Sequence, residues 1–350
     1  MTMRAITVHG AEDLRLEFRS EPVPGPDEVL IRVGYAGVCG SDLHYYRSGR
    51  VGAFEVREPL VVGHEISGRV AVDAPGLPAG TPVTVHPATP GAPQPGIERR
   101  PNIWPGSRYL GSAATTPHTQ GAMSDLAVVR ADQIRVLPDD LPLRRAVLAE
   151  PLAVGLHAIA RADGVVGKRV LVSGAGPIGL LAAGAAHASG AASVTVSDLH
   201  AAPLEIARRL GAADVVRVGA QEAPAEAFDV VLECAGAPAA VDAAIRATRR
   251  GGVVVLLGML PGDARPYTLV DVVTREIDVR GSFRFDHELD DAVAMLATTP
   301  ALGHVVTDVF GPRDALAAFD RAADPRTSSK VVIEFAGESV DAAPAAGVQG

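Results

Sequence analysis

Short apolar-rich runs separated by turn residues dominate the first part of the chain. Residues 14–18 alternate between apolar and polar side chains, and residues 29–33, 66–72 and 82–85 are further runs of this kind, with Gly and Pro between them. Such runs are typical of half-buried β-strands, and Gly and Pro mark turns. We therefore expect a β-rich N-terminal region. Residues 87–107 have no such period and predict a surface lobe.

After Lys168 the pattern changes to short buried strands that alternate with longer apolar helices. The predicted strands cover residues 169–173, 193–198, 228–233 and 252–257, and the predicted helices cover residues 178–189, 203–210 and 239–248. This alternation predicts a parallel, doubly wound sheet and an α/β fold. A helix over residues 286–298 and a strand over residues 330–335 follow, and the tail after about residue 336 is expected to be disordered.

Composition and charge exclude several classes of function. A chain of 350 residues is long enough for two domains. Its net charge of -9 argues against nucleic acid as the main partner, because phosphate binding requires a basic surface. No apolar run reaches the length of a membrane span, and no signal-peptide core precedes the first predicted strand. Two cysteines do not suggest a disulfide framework, so we expect a cytoplasmic protein.

Cys39, His64 and Glu65 lie within 27 positions of one another, in a segment predicted as loop and strand. A thiolate, an imidazole and a carboxylate are ligand types that Zn²⁺ takes, and three protein ligands with a fourth position left open is the catalytic arrangement. A half-buried cysteine beside an ordinary surface His-Glu pair is the alternative. The dinucleotide motif further along the chain favours the metal site.

A glycine-rich turn lies between the first predicted strand and helix of the alternating region. Its residues are Gly174, Ala175, Gly176, Pro177, Ile178 and Gly179. Asp198 ends the next predicted strand, nineteen residues after Gly179. In this context the glycines let the backbone approach a pyrophosphate, and the carboxylate accepts hydrogen bonds from ribose hydroxyls. Asp198 would repel a 2′-phosphate, so the sequence predicts NAD rather than NADP.

Four segments carry a resemblance to a known family: Cys39–Tyr46, Gly63–Glu65, Glu150–Val154 and Gly281–Phe285. With the glycine motif, they resemble the zinc-dependent medium-chain dehydrogenase/reductase family, and its polyol and sugar-acid branch in particular. The resemblance runs from about residue 5 to residue 335. It implies a β-rich GroES-like catalytic domain, residues 1–150 and 283–350. A Rossmann dinucleotide-binding domain is then inserted at residues 151–282.

The resemblance also implies roles for individual residues. Cys39, His64 and Glu65 match the catalytic zinc ligands of the polyol branch. Glu150 matches a further carboxylate beside the metal, which either binds it or acts as a catalytic group; an interdomain salt bridge is the alternative. The metal set implied by the family is therefore these four residues.

Four more positions match residues that move protons or line the substrate pocket in related enzymes. Ser41 and His44 match a proton-relay hydroxyl and imidazole, although both could instead cap the helix expected after Gly40. Tyr45 and Arg284 match polar residues of the substrate pocket, with a buried tyrosine and a surface arginine as the alternatives.

The segment from residue 90 to residue 110 departs from the family pattern. A lobe at this position normally carries four cysteines that hold a second, structural zinc. Here Gly91, Gln94, Ile97 and Trp104 lie near those positions, and the segment contains no cysteine or histidine. Four-ligand closure is impossible, so we expect one catalytic zinc per chain. The lobe must then be ordered by packing, for which Trp104 and Tyr109 are candidates.

The resemblance implies an NAD-dependent, zinc-dependent oxidoreductase. Its substrate would be the secondary hydroxyl of a polyol, an L-idonate-like sugar acid or a cyclitol, and it would form a homotetramer or homodimer. A butanediol-type or other secondary alcohol dehydrogenase remains an alternative. So do a zinc-free, NADPH-dependent reductase of the same fold and an NAD-binding protein whose catalytic activity has decayed.

Overall fold

The structure is a computed structural model that describes residues 1–260, 262 and 266–336. The tail predicted after about residue 336 lies outside the described residues. No helix in the described ranges is both long and apolar enough to cross a lipid bilayer.

The N-terminal region is β-rich, as the apolar runs predict. Its helices are α1, Gly40–Ser48, and α2, Leu143–Ala146. Its strands are β1 Thr2–Gly10, β2 Asp13–Ser20, β3 Glu28–Gly37, β4 Arg50–Val51, β5 Phe54–Glu55, β6 Leu60–Val61, β7 Glu65–Val70, β8 Pro82–Val85, β9 Ala88–Thr89, β10 Arg108–Tyr109, β11 Leu126–Arg130 and β12 Ile134–Val136. Two 3-10 helices, Pro101–Ile103 and Ala131–Gln133, complete this region as described.

Strands and helices alternate through most of the remaining chain. The elements are α3 Ala149–Arg161, β13 Arg169–Ser173, α4 Pro177–Ala188, β14 Ser193–Asp198, α5 Ala201–Arg209, β15 Asp214–Arg217, β16 Phe228–Glu233, α6 Pro238–Ala247, β17 Thr248–Leu256, α7 Val270–Thr274, β18 Asp278–Gly281, α8 Glu288–Thr298, β19 Val306–Phe310, α9 Ala315–Ala322 and β20 Lys330–Glu334. Two further 3-10 helices span Pro300–Val305 and Pro312–Asp314.

In the described ranges, six parallel strands form one sheet in the order β15-β14-β13-β16-β17-β18. This is the doubly wound order 3-2-1-4-5-6, whose ligands bind beyond the carboxyl ends of the strands. The α/β prediction is therefore confirmed. The predicted strands at residues 169–173, 193–198 and 228–233 are found with the same bounds.

The two faces of this sheet are buried against different sets of helices. Successive side chains of a strand point to opposite faces. Val170 and Val172 accordingly belong to a core shared with α3, α4, α5 and α8, whereas Leu171 belongs to a core shared with α6. Both faces are thus covered, which is why these strands read as continuous apolar runs.

A second sheet of the described residues runs in the order β12-β8-β7-β3-β20-β19, with β11 also paired to β3. Strand β20, near the end of the described chain, pairs with β3, near its beginning. The parallel sheet therefore interrupts a β-rich unit built from both ends of the chain.

The domain bounds at residues 150 and 282 stay a prediction. Residue 150 lies within α3, and residue 282 directly follows β18.

Candidate active site

Three neighbouring strands bring the predicted metal ligands together. Strand β3 ends at Gly37, two residues before Cys39, and lies between β7 and β20. Gly37 pairs with Glu65, the first residue of β7, and with Val332 of β20. A side chain at Gly37 could not be accommodated, because its Cβ would lie 2.0 Å from Glu65 Oε2. Glycine at the end of β3 therefore makes room for the Glu65 carboxylate.

The ligand atoms of Cys39, His64 and Glu65 all lie within 4.8 Å of one another. His64 and Glu65 are buried and Cys39 is half-buried. Burial alone would lower the pKa of His64, but the charge and hydrogen bond of Cys39 raise it to about 10. An imidazole, a thiol and a carboxylate thus converge on one point, as a three-ligand zinc site requires.

Lys330, the first residue of β20, contacts the carboxylate of Glu65. Its Nζ donates to both carboxylate oxygens of Glu65 at 2.7 Å and to the carbonyl of Val38 at 3.1 Å. Burial lowers the pKa of Lys330, whereas the charges of Glu65 and Cys39 raise it, and the net direction is upward. The ammonium is therefore held in its charged form.

The charge balance of these groups fits a divalent cation. An imidazole that binds zinc is neutral, so in the metal-binding state, with Cys39, Glu65 and Glu150 ionised, the ammonium of Lys330 compensates only one of three negative charges. Two charges would remain unpaired in a buried site, which is costly. Zn²⁺ bound by Cys39, His64 and Glu65 would neutralise them, so the donor set and its charge both fit the ion that the sequence predicts.

Asp42 holds the two ligand segments in position. It is fully buried on the first turn of α1, and its carboxylate accepts from the backbone N–H of Cys39 at 2.9 Å and of Gly63 at 3.1 Å. Burial raises the pKa of Asp42, while the charge of His64 and these two hydrogen bonds lower it, and burial prevails. One carboxylate thus fixes the backbone at Cys39 and directly before His64.

Glu150, at the start of α3, lies beside the ligand group but is not one of the three convergent ligands. Its Oε1 accepts a hydrogen bond from the hydroxyl of Tyr109 at 2.6 Å. Burial raises the pKa of Glu150; His64 lowers it, Glu65 raises it, and the net direction is upward. Its role as a metal ligand stays a prediction.

Tyr109 connects Glu150 to Arg284, the predicted substrate residue. The guanidinium of Arg284 lies 3.9 Å from the centre of the Tyr109 ring, a cation–π geometry, and the same ring contacts His64 edge-on. Arg284 has a φ of 53°, so its backbone adopts a conformation uncommon for residues other than glycine. No described side chain forms an ion pair with it.

The other residues predicted to move protons or to line the substrate pocket, Ser41, His44 and Tyr45, lie on α1. The N-cap of this helix is Cys39 and the reciprocal carboxylate is Asp42, so neither Ser41 nor His44 caps it. Ser41 is half-buried and His44 is exposed. Tyr45 is buried, and its hydroxyl accepts a hydrogen bond from the backbone of Ala113 at 3.0 Å. The relay and pocket roles of these three residues stay predictions.

The glycine-rich turn has the geometry that a dinucleotide requires. Gly174 has a φ of 98°, and a Cβ at Gly179 would lie 1.9 Å from the Gly174 carbonyl. A Cβ at Gly176, by contrast, would meet no atom within 4 Å, which leaves open space beside the turn. Helix α4 starts at Pro177, in the first-turn position that proline favours, and Ile178 is half-buried behind it.

Asp198, at the carboxyl end of β14, lies beside this turn. Its carboxylate accepts from the backbone N–H groups of Ala175 at 2.8 Å and His200 at 2.8 Å. It also lines a mainly apolar cavity of about 630 Å³ together with Gly174, Leu199 and Val218. Mainly apolar walls, with the Asp198 carboxylate at the sheet edge, fit the adenosine half of NAD.

Sequence reasoning missed the functional positions of Lys330, Asp42 and Tyr109. Asp42 had a local signal, because an acidic residue three positions after Cys39 forms a capping box with the helix start. Tyr109 was considered only for packing the lobe. Lys330 carries no local signal, since its partner Glu65 is 265 residues away.

Comparison with known proteins shows which family the chain belongs to. Residues 25–139 match the alcohol dehydrogenase GroES-like domain, and residues 177–298 match the zinc-binding dehydrogenase domain. Sorbitol dehydrogenase of Gallus gallus is 37% identical over 334 residues, covering 90% of this chain and 92% of the relative.

Two solved structures extend the likeness to the fold. The crystal structure of L-idonate 5-dehydrogenase from Escherichia coli has a TM-score of 0.90 and 31% identity, covering 96% of this chain and 99% of that one. The structure of 2R,3R-butanediol dehydrogenase from Bacillus subtilis has a TM-score of 0.85 and 26% identity, with 95% and 99% covered. On these matches and on the Cys-His-Glu group, the chain belongs to the zinc-dependent medium-chain dehydrogenase/reductase family, in its polyol branch.

Proposed function

We propose that this protein transfers a hydride between NAD and the secondary hydroxyl of a polyol or an L-idonate-like sugar acid. That it is a zinc-dependent alcohol oxidoreductase follows from its family. The finer choice of substrate draws on the sorbitol and L-idonate dehydrogenases among its relatives, and on the polar side chains that surround the ligand group.

The choice of substrate rests on Arg284, whose guanidinium has no carboxylate partner among the described side chains. This guanidinium stacks on Tyr109 and is available to a ligand. Tyr109 in turn hydrogen bonds Glu150, beside the metal ligands. A planar guanidinium on the ring that contacts Glu150 and His64 suits a substrate carboxylate or a distal hydroxyl.

Each group of the site has a task in this reaction. Cys39, His64 and Glu65 would hold zinc, which would supply a Lewis acid for the substrate oxygen. Ser41, with the cofactor ribose and His44, provides one route for the hydroxyl proton, and Glu150 provides another. Hydride transfer would be the chemistry of the bound nicotinamide, which the protein would position against the substrate.

An NAD⁺ reduction screen over polyols, aldonates and cyclitols tests this proposal. Activity on a sugar acid or polyol, with zinc measured in the same sample, is the expected result. Arg284→Ala should raise KM for the best polar substrate tenfold or more, and Arg284→Lys should restore part of it. Arg47→Ala, an exposed change on α1, is the matched control. Unchanged kinetics in Arg284→Ala would contradict the role of this residue.

A butanediol-type substrate is the second candidate, because the Bacillus subtilis butanediol dehydrogenase shares the fold over almost its whole length. A small diol lacks a carboxylate and would not engage Arg284. If the parent prefers 2,3-butanediol to every sugar acid and polyol, and Arg284→Ala retains that activity, the second candidate replaces the first.

We also propose that the chain forms a homo-oligomer in the cytoplasm through the free edge of strand β18. This strand ends the parallel sheet, and exposed apolar side chains lie on it and on the preceding segment: Leu269, Val270, Val273 and Val279. An open strand edge next to exposed apolar side chains invites pairing with another chain. Light scattering at micromolar protein should give a dimer or a tetramer, and a charged substitution at Val279 should shift it toward the monomer.

A further inference from the structure

Three buried side chains connect α8, α3 and the lobe at residues 90–110 to the segment that carries Arg284. His157 Nδ1 lies 2.7 Å from Glu288 Oε1, and His157 Nε2 lies 3.4 Å from Asn102 Nδ2. Asn102 Nδ2 also donates at 2.9 Å to the carbonyl of Phe283, directly before Arg284. We call Glu288, His157 and Asn102 the polar bridge, and all three are buried.

The hydrogen bonds of the polar bridge have a fixed direction. The Phe283 carbonyl can only accept, so it must face an N–H donor of the Asn102 amide. The same Nδ2 then donates to His157 Nε2, and the imidazole proton lies on Nδ1, toward the Glu288 carboxylate. Asn102 Oδ1 is buried without a hydrogen-bond partner among the described residues, so the amide is held through its Nδ2.

The polar bridge holds the segment around Arg284 on both sides. Asn102 binds the carbonyl that precedes Arg284. Glu288 Oε2 accepts at 2.7 Å from the backbone N–H of Asp286, two residues after Arg284. The φ of Arg284 is 53°, a backbone conformation that persists only where the surrounding structure imposes it. From this backbone the guanidinium reaches to 3.9 Å from the centre of the Tyr109 ring.

We propose that Asn102 is a positioning residue for substrate recognition by Arg284, an inference that rests on the function proposed above. It acts through the backbone of Phe283. Without the Asn102 donors this carbonyl loses its partner, and the segment is free to leave the conformation that places the guanidinium on Tyr109. A guanidinium that is no longer oriented binds a carboxylate or hydroxyl less well. The alternative is a purely structural role, in which Asn102 only orders the lobe.

A double-mutant cycle with Arg284→Ala separates the two roles, with zinc-loaded enzyme, saturating NAD⁺ and the best polar substrate of the screen. Asn102→Ala should raise KM about fivefold or more, while kcat, zinc content and the Kd of NADH stay within about twofold of the parent. In the Arg284→Ala background the same change should raise KM less than about twofold, because no guanidinium is left to position. Gln94→Ala, which removes an exposed amide from the same lobe, is the matched control.

The outcomes of the cycle distinguish this inference from the proposed function. Equal increases of KM in both backgrounds would show that Asn102 acts independently of Arg284, and would overturn the inference. If Arg284→Ala raises KM but Asn102→Ala does not, the inference fails and the proposed function stands. If Arg284→Ala leaves KM unchanged, the proposed recognition by Arg284 is wrong, and the inference falls with it.

A second variant covers the case in which Asn102→Ala does not fold. Asn102→Leu keeps the branched shape of the side chain but removes its hydrogen bonds. It enters the same cycle with the same expected values, and its crystal structure adds a readout that needs no substrate. The guanidinium of Arg284 should then have left the Tyr109 ring. A guanidinium that keeps its distance of 3.9 Å in this variant would overturn the inference.

Discussion

Lys330 sets the charge of the metal-binding group although it is not a ligand. It is buried to 3% exposure, and its only described carboxylate contact is with Glu65, whose two oxygens it binds. A buried ion pair is weak support for stability as a pair, but removal of one partner leaves an uncompensated charge. The ammonium therefore compensates the charge of the Glu65 carboxylate when no cation is bound.

Replacement of Lys330 by Met should destabilise the metal-free protein by about 3–5 kcal/mol, because Glu65 would be left buried and unpaired. The urea midpoint of chelator-treated protein measures the effect. Zinc should recover part of the loss, since the cation would then compensate Glu65. Arg47→Met, which removes an exposed cation, is the control, and equal midpoints for the two variants would disprove this role of Lys330.

Asp198 should determine the choice of cofactor. Its carboxylate lies at the end of β14 beside the glycine turn, where a 2′-phosphate would meet a negative charge. The parent should favour NAD⁺ over NADP⁺ in kcat/KM by at least tenfold, which corresponds to about 1.4 kcal/mol. Asp198→Ala should bring the two values together. Equal use of both cofactors by the parent would show that the carboxylate does not contact the ribose.

At the scale of elements, the lobe at residues 90–110 is held without the four thiolates of its family. Trp104 Nε1 donates to the Ile97 carbonyl at 2.8 Å, which closes the lobe on itself. Asn102 Nδ2 donates to the carbonyl of Phe283 at 2.9 Å and lies 3.4 Å from His157 Nε2 of α3. Hydrogen bonds to the neighbouring segments thus order the lobe, next to Arg284.

The contact between α3 and α8 extends this network and should give the stability of the protein an acid dependence. His157 Nδ1 lies 2.7 Å from Glu288 Oε1. Burial raises the pKa of Glu288, but the hydrogen bonds of His157 and of the Asp286 backbone lower it to about 2. Since this pKa is below the ordinary 4.5, ionised Glu288 stabilises the fold fully above that pH, and the contribution is lost between about pH 4.5 and 2.

Glu288→Gln isolates this contribution. The parent should be more stable than the variant by about 1–3 kcal/mol at pH 6, and the difference should shrink as the pH falls below 4.5. Urea unfolding followed at several pH values measures it. Asp291→Gln, an exposed change on the same helix, is the control. A difference between parent and Glu288→Gln that stays constant from pH 6 to pH 3 would contradict the assignment.

Elements differ in how well the sequence predicts them, and the reason is their place in the sheet. The central strands β13, β14 and β16 are buried on both faces and are predicted with correct bounds. The edge strands β15 and β18 were missed. They are four residues long and mostly exposed, so they carry little apolar signal, and pairing with a neighbouring strand defines them.

At the scale of the whole molecule, the site also divides into residues that a local sequence pattern predicts and residues that only the assembled fold brings together. Cys39, His64 and Glu65 are close in sequence, so spacing and residue type predicted their group. Lys330, Tyr109 and Arg284 reach the group only through the pairing of β20 with β3 and the docking of distant segments. Contacts of this kind depend on the assembled fold, which no local pattern encodes.

The complete chain should bind one zinc ion. Cys39, His64 and Glu65 form the group of metal-ligating side chains found in the described residues, and the lobe offers no second one. Elemental analysis of the protein, purified without chelator, should give about one zinc per chain. Cys39→Ser should lose both the metal and the activity, while Cys234→Ser should keep both, because Cys234 packs in the core beside the glycine turn. Two tightly held zinc ions per chain, or full zinc content in Cys39→Ser, would require a second site outside the residues that the structure describes.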